Sequence, residues 1–248
     1  MIIIGFILTI YYYIAMGVLF LVFTPLSFLI WVITTPLDKT RSINHIINCF
    51  VGKGILALNP FWNTKAVGLE KIDKNETYVV VSNHQSLSDI VMLTYLFPLQ
   101  YKYVAKKALV FIPFLGWIMA MAHYILLSRN DPKSQFRMMR NCEHLLKEGV
   151  SIAIFPEGTR SRQDGELLRF KDGASVLAKK TSSKILPVCM IGNNFSMPTN
   201  GFIWTKRVKM TMVILDPISP DDFEKPKELT DFFKQKIKEQ LNRKAEYL

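Results

Sequence analysis

Residues 1–37 carry no charged side chain, and the only clear interruption in that apolar run is Thr24-Pro25-Leu26-Ser27. A bilayer crossing takes about 20 apolar residues, so the run is long enough to enter a membrane. Proline disfavours a straight helix through its position. The pattern therefore predicts a helix pair, residues 3–23 and 26–34, that dips into one leaflet and returns. A single tilted span is the alternative. The segment lacks the basic start, short apolar stretch and small-residue cleavage site of a signal peptide. Tyr11, Tyr12, Tyr13 and Trp31 resemble interfacial anchors, and Lys39 and Arg41 follow the run. The positive-inside rule then puts the rest of the chain on the cytoplasmic side. Over residues 42–58, Ile43, Ile46, Ile47 and Phe50 recur at intervals that predict an amphipathic helix. It lies either on the membrane surface or against the domain.

Beyond it, short β-branched or apolar runs alternate with helical periods. Strands are predicted at 77–82, 101–105, 124–127, 151–155, 185–191 and 208–215, the last near a sheet edge. Helices are predicted at 87–97, 113–122, 132–147, 173–181 and 228–242, with Pro113 opening one and Gly149 following another. This alternation indicates an α/β fold, a sheet covered by helices. No internal repeat is visible. The one linker-like stretch, 216–228, contains Pro217, Pro220 and Pro226.

Composition sharpens this picture. The chain has 248 residues, half of them hydrophobic, and 31 basic against 20 acidic side chains, a formal charge of +11. Such an excess suits an anionic partner, and the apolar front end favours a membrane over nucleic acid. Cys49, Cys142 and Cys189 are widely spaced and form no CxxC pair, which argues against a disulfide framework or a zinc site. Each reads as a small buried hydrophobe.

Two segments carry candidate chemistry. In Val81-Ser-Asn-His-Gln-Ser-Leu-Ser-Asp89, His84 leaves a buried strand and Asp89 lies in the first turn of the next helix. Strand ends are where open α/β sheets place ligands. The spacing lets the carboxylate meet one imidazole nitrogen and leaves the other as a base. The alternative is a simple helix cap by Ser86 or Ser88. In Phe155-Pro-Glu-Gly-Thr-Arg-Ser161, Gly158 permits close backbone approach, N–H groups of such a turn can form an anion nest with Thr159, and Arg160 can fork onto a phosphate. Glu157 either orients Arg160 or meets a hydroxyl of the ligand. Lys106, Lys107, Arg129 and Lys171 are further basic candidates, and the apolar helix with Trp117, Met119 and Met121 could line an acyl tunnel.

Together these segments resemble the glycerolipid acyltransferase family, and within it the bacterial 1-acyl-sn-glycerol-3-phosphate acyltransferases. Asn83-His84-x4-Asp89 is similar to that family's catalytic block, and Phe155 to Ser161 to its phosphate-binding block. Lys106-Lys107-Ala-Leu-x-x-Ile-Pro-Phe-x-Gly116, with the strand ending at Arg129, fits the block between them. Ile185-Leu-Pro187-Val188 fits the last block, beside the acyl chain. The resemblance covers roughly residues 37–215. Ser128 and Asp172 depart from the pattern beside Arg129 and Lys171. The resemblance implies an N-terminal two-helix anchor (residues 1–36) and a catalytic domain (residues 37–248) at the cytoplasmic face of the inner membrane. It implies acyl transfer from acyl-CoA or acyl-acyl carrier protein to the sn-2 hydroxyl of lysophosphatidic acid, giving phosphatidic acid. His84 is then the base, Asp89 its partner, and Glu157, Gly158, Thr159, Arg160, Lys106, Lys107 and Arg129 the acceptor site. Pro187 and Lys171 are acyl-site or structural residues. No metal or bound cofactor is required, and the partners are lysophosphatidic acid, the acyl donor and membrane lipids. The alternatives are an acyltransferase for another lysolipid, such as a lyso-ornithine lipid or lysophospholipid, and a non-catalytic protein that binds anionic lipids.

Overall fold

The computed structural model of the chain describes residues 2–128, 130–161, 166–197, 204 and 206–248. The apolar front end is one helix, α1 (Ile2–Thr34), of 33 residues. At 1.5 Å per residue it is about 50 Å long. It runs through Pro25, so the break expected at residues 24–27 does not occur. The reason lies in the next helix, α2 (Ser42–Leu58). Asn44 Nδ2 donates to both the carbonyl and the hydroxyl of Ser27 at 3.0 Å, gripping α1 just past the proline. Contact from a neighbouring helix offsets the hydrogen bond that proline removes.

Gly5, Thr9, Tyr12, Thr24 and Ser27 are buried, with Met16, Leu19, Phe20 and Phe23 half-buried between them. That is one stripe at helical spacing, and it docks on the domain. The other faces of α1 present exposed apolar side chains, including Ile7, Ile14, Val18 and Leu21. Among the described residues, α1 is the one helix long and apolar enough to cross a membrane. The Asp38 carboxylate starts α2 by accepting from the backbone N–H of Ser42 and Ile43, each at 2.9 Å. This helix packs on α1 and covers the domain with Ile47, Val51, Ile55 and Leu56, while Ile43, Ile46 and Phe50 stay exposed. It thus has two apolar faces rather than one.

The domain continues with β1 (Trp62–Val67), β2 (Tyr78–Ser82), α3 (Leu87–Leu96), β3 (Tyr101–Lys106), α4 (Leu115–Met121), β4 (Ile125–Leu127) and α5 (Pro132–Lys147). It ends with β5 (Ser151–Ile154), α6 (Gly173–Thr181), β6 (Lys184–Ile191), β7 (Val208–Ile214) and α7 (Pro226–Asn242). The strands form one seven-stranded sheet in the order β1-β7-β6-β2-β5-β3-β4. Among the described strands, the β6–β7 pair alone is antiparallel. The strand expected near an edge, β7, is covered by β1, which the sequence reading did not include. In Trp-Asn-Thr-Lys-Ala-Val the two faces alternate, but Asn63 and Lys65 dilute the apolar signal.

Side chains of β2 alternate between two cores, as a pleated strand requires. Tyr78 and Val80 pack with Leu56, Met92, Leu93 and Met119 under α2–α4. Val79 and Val81 pack with Cys142, Leu146, Leu177 and Phe233 under α5–α7. Helices therefore cover both faces, and the parallel strands β2, β5 and β3 end on one rim. On that rim, Gly116 lets α4 press against the preceding turn: a Cβ there would lie 2.1 Å from the Val110 carbonyl oxygen.

Candidate active site

His84 lies two residues beyond the end of β2. The chain turns there because Ser86 caps α3 and Asp89, in the first turn, reaches back to the cap. Asp89 Oδ2 accepts from the backbone N–H of Gln85 at 2.6 Å and of Ser86 at 2.8 Å. The same oxygen lies 2.7 Å from His84 Nδ1. The helix cap and the His–Asp pair are thus one structure, and the two readings of this segment merge. A carboxylate can only accept, so Nδ1 carries the proton and Nε2 is left with its lone pair. The Asp89 side chain is 0% exposed and that of His84 12%. The Phe155 ring stacks on the imidazole at 4.2 Å between centroids, with 25° between planes.

Phe155 begins the second segment, directly after β5. Gly158 sits at φ +70, where its N–H reaches back to the Phe155 carbonyl at 3.0 Å. A tight turn of this kind favours glycine. Glu157 is buried beneath it. Its Oε1 accepts from the His84 backbone N–H at 2.8 Å and its Oε2 from Leu168 N–H at 2.9 Å. Burial pushes its carboxyl group up from the ordinary range, and the two backbone bonds oppose that. The carboxylate therefore pins the histidine loop, where the sequence reading expected it to orient Arg160 or meet a ligand hydroxyl. Both oxygens are taken by main-chain donors from distant parts of the chain. Ser161 N–H adds a bond to the His84 carbonyl at 2.8 Å, so the second segment wraps around the first.

A cavity of about 370 Å³ opens at this rim. Its polar lining includes His84, Lys106, Thr159, Arg160 and Lys171, and Gly158 contributes backbone. The Lys171 ammonium hangs over the turn, 3.4 Å from where a Gly158 Cβ would stand. The apolar wall includes Leu87, Ile90, Val104, Leu109, Met138 and Met139. Asp89 and Glu157 stand behind the lining and hold it. Lys107 begins the 3-10 turn Lys107–Phe111 after β3 ends and does not line the cavity. Arg129 lies outside the described residues. Pro187 is buried within β6, paired with Val81, and its carbonyl accepts from Leu215 N–H at 2.9 Å. It belongs to the sheet and not to the cavity wall. Nor does α4 supply that wall: Met119 is core, and Trp117 and Met121 line a separate apolar cavity of about 580 Å³ against α1.

The sequence reading also missed Asn83 as a fastener. Its side-chain amide donates to the Met190 carbonyl at 2.9 Å and accepts from Met190 N–H at 2.8 Å. It thereby ties the end of β2 to β6 and fixes where His84 begins. A buried Asn directly before the histidine was the available signal.

Comparison with known proteins agrees with this geometry. The Acyltransferase family profile matches residues 63–191. The chain is 37% identical over 188 residues to a chloroplastic 1-acyl-sn-glycerol-3-phosphate acyltransferase of Brassica napus, across 75% of this chain and 53% of that protein. It is 34% identical over 167 residues to the 1-acyl-sn-glycerol-3-phosphate acyltransferase of Helicobacter pylori, across 66% of this chain and 70% of the relative. The crystal structure of the 1-acyl-sn-glycerophosphate acyltransferase PlsC from Thermotoga maritima matches with a TM-score of 0.81 and 28% identity, over 97% of this chain and 96% of that one. The chain spans about half the length of the chloroplast relatives it matches, 53% in Brassica napus and 46% in Arabidopsis thaliana. With the profile covering half of it, and a bacterial relative matched over most of that relative's length, this chain belongs to the acyltransferase family.

Proposed function

We propose that the chain acylates the sn-2 hydroxyl of lysophosphatidic acid to form phosphatidic acid, with an acyl thioester as donor. The observation that carries this reading is the 2.7 Å contact between His84 Nδ1 and Asp89, beside a cavity that also holds Arg160, Lys106 and Lys171. The acceptor's phosphate meets these cations, with Arg160 as the bidentate partner. Its hydroxyl then lies beside His84 Nε2. The imidazole takes the hydroxyl proton as the oxygen attacks the thioester carbonyl. Asp89 stabilises the imidazolium that forms. The tetrahedral intermediate collapses, the C–S bond breaks, and the proton passes from His84 to the departing thiolate, which leaves as the free thiol. The apolar wall of Leu87, Ile90, Met138 and Met139 accommodates acyl chain. The names of the relatives support the acceptor. The exposed apolar faces of α1 and α2 support residues 1–36 as a membrane anchor, with residues 37–248 as the catalytic domain on the cytoplasmic side of the inner membrane.

The test is acyl transfer by the purified protein in detergent. The acceptors are lysophosphatidic acid and the same lipid without its phosphate. The donors are acyl-CoA and acyl-acyl carrier protein, each supplied separately. Transfer confined to the phosphorylated acceptor is the expected result and identifies the donor. Equal transfer to both acceptors would remove the phosphate site from the mechanism.

A further inference from the structure

Behind Asp89 lies a buried polar hub that the proposed mechanism does not use. Its centre is Ser196, 0% exposed, just after the 3-10 turn Asn193–Phe195 that follows β6. The Ser196 hydroxyl is 2.6 Å from the Asn193 carbonyl oxygen. It is also 2.8 Å from the hydroxyl of Ser86 and 2.8 Å from that of Ser88. Counting protons settles the directions. A carbonyl can only accept, so the single Ser196 proton goes to Asn193. Both remaining contacts must then be donated to Ser196, by Ser86 and by Ser88. With its proton turned toward Ser196, Ser86 offers lone pairs to the N-terminus of α3, as a helix cap requires. Ser88 likewise has a lone pair free for Asn193 Nδ2, at 3.3 Å. Ser86 and Asp89 are the two halves of one capping box, and Asp89 holds His84.

The Ser196 carbonyl faces the opposite way. It accepts from two indoles, Trp204 Nε1 at 2.7 Å and Trp62 Nε1 at 3.0 Å. The Trp204 backbone N–H donates to the Thr9 hydroxyl of α1 at 3.1 Å. Its ring meets Tyr12 of α1 edge-on, 5.4 Å between centroids. One residue thus touches the cap of the catalytic helix through its side chain and the seat of the apolar helix through its main chain. The Ser196 hydroxyl uses its proton and both lone pairs, and buried contacts of this kind favour one geometry over several.

We infer that Ser196 is a positioning residue that sets the His84–Asp89 pair and links it to the seating of α1. The inference rests on the proposed role of His84 as base. In Ser196→Ala, Ser86 and Ser88 lose their shared acceptor and their hydroxyls turn elsewhere. The cap loosens and the Asp89 carboxylate is held less firmly against the imidazole. A carboxylate at that position favours the imidazolium, so a weaker contact lowers the histidine's titration midpoint.

The experiment uses the full chain in detergent and two readouts. One is kcat and KM against pH. The other is NMR titration of the four histidines, with His84 assigned by its loss in His84→Gln. For Ser196→Ala, kcat is expected to fall about tenfold with both KM values within about twofold, because misplacement of a catalytic group costs rate more than binding. The acid limb of the rate profile and the His84 midpoint are expected to move together to lower pH. A wild-type midpoint, with or without reduced kcat, overturns the inference, since a purely structural loss lowers the active fraction and leaves the midpoint alone. Trp204→Phe keeps the hydroxyl network and removes one indole N–H. It is expected to give a shift of the same sign and about a threefold loss of kcat, and a wild-type profile there overturns the link to α1. If the wild-type chain transfers no acyl group, the proposed function fails, while the His84 midpoint still decides the positioning role.

Discussion

Two of the places where the molecule buries titratable side chains differ in kind: one opens on a cavity and the other is sealed. At the rim where β2 and β5 end, His84 and Asp89 are paired at 2.7 Å and the imidazole opens on a cavity. At the start of β3, Lys102 and His45 are enclosed, 0% and 3% exposed. Lys102 pairs with Ile152 in the sheet, and Ile152 pairs with Val79, so Lys102 is level with the beginning of β2. That places it roughly 16 Å behind His84 along the strands. Its ammonium donates to the Arg41 carbonyl at 3.3 Å and lies over the Tyr124 ring. His45 Nδ1 shares the Tyr124 hydroxyl at 3.1 Å. Burial pulls Lys102 down to about 8 and, with Lys102 close by, pulls His45 down to about 3. A perturbed titration is therefore no signature of catalysis by itself. Asp38 lies near enough to favour the Lys102 ammonium, so an opposite charge alone does not separate the two places; the direct His84–Asp89 contact and its opening on a cavity do.

The comparison is sharpened first at His84. His84→Ala is expected to lower acyl transfer about 10²–10⁴-fold while leaving the melting temperature near that of the wild type. Asp89→Asn should follow with a comparable loss and some loss of stability, because it also disturbs the cap. A variant at His84 with near-normal turnover would erase the distinction between the two places. Next comes Arg160→Ala. It should cost about 10–100-fold in kcat/KM for the phosphorylated acceptor and much less for the acceptor without phosphate, as the loss of a charge-assisted contact predicts. Equal losses for both acceptors would take Arg160 out of the phosphate site.

The buried cluster should respond in stability and not in turnover. Lys102 is charged in both folded and unfolded chains at pH 7, so there the folded state bears the full cost of burying the charge. That cost disappears as pH rises from about 8 to 10.5, where the folded state releases its proton first. Lys102→Met should therefore be more stable than the wild type by up to about 3 kcal/mol at pH 7, with kcat unchanged. The gap should narrow to below about 1 kcal/mol by pH 10, and denaturant unfolding at several pH values would show a constant gap if the reading is wrong. The smallest effect belongs to His45. Held neutral in the fold, it contributes stability above pH 6.5 that is lost as pH falls toward 3. Between pH 7 and 5 that loss is about 2 kcal/mol, and His45→Phe should remove it from the pH dependence of unfolding.

The sequence exposed the proposed catalytic place far better than the enclosed one. His84, Asp89 and Arg160 stand in short segments where strand end, cap and turn are all local signals. The apolar runs of β2, β5 and β6 are equally plain, because parallel strands covered on both faces are hydrophobic throughout. Lys102 in Tyr-Lys-Tyr-Val-Ala-Lys reads as the outward side of an alternating strand, yet it is buried because Arg41 and Tyr124, remote in sequence, close over it. The main-chain partners of Glu157 were hidden for the same reason: they are 73 and 11 residues away. The strand β1 was lost because Asn63 and Lys65 interrupt its apolar side chains, and the helix through Pro25 because its support comes from Asn44 on α2.

The contact between Thr9 and Trp204 joins residues 195 positions apart, and this has a consequence for the order in which the protein is made. At about 5–20 residues per second, α1 leaves the ribosome roughly 10–40 s before the tryptophan on which it will dock. For that interval the stripe that later faces the domain has only its surroundings for company. Thr9 is prepared for the wait, because its hydroxyl donates to the Gly5 carbonyl of its own helix at 2.7 Å. The Thr9 proton is not stranded, and the same oxygen keeps a lone pair in reserve for the Trp204 N–H. Thr9 can thus wait with its proton already placed and still accept its final partner without breaking a bond.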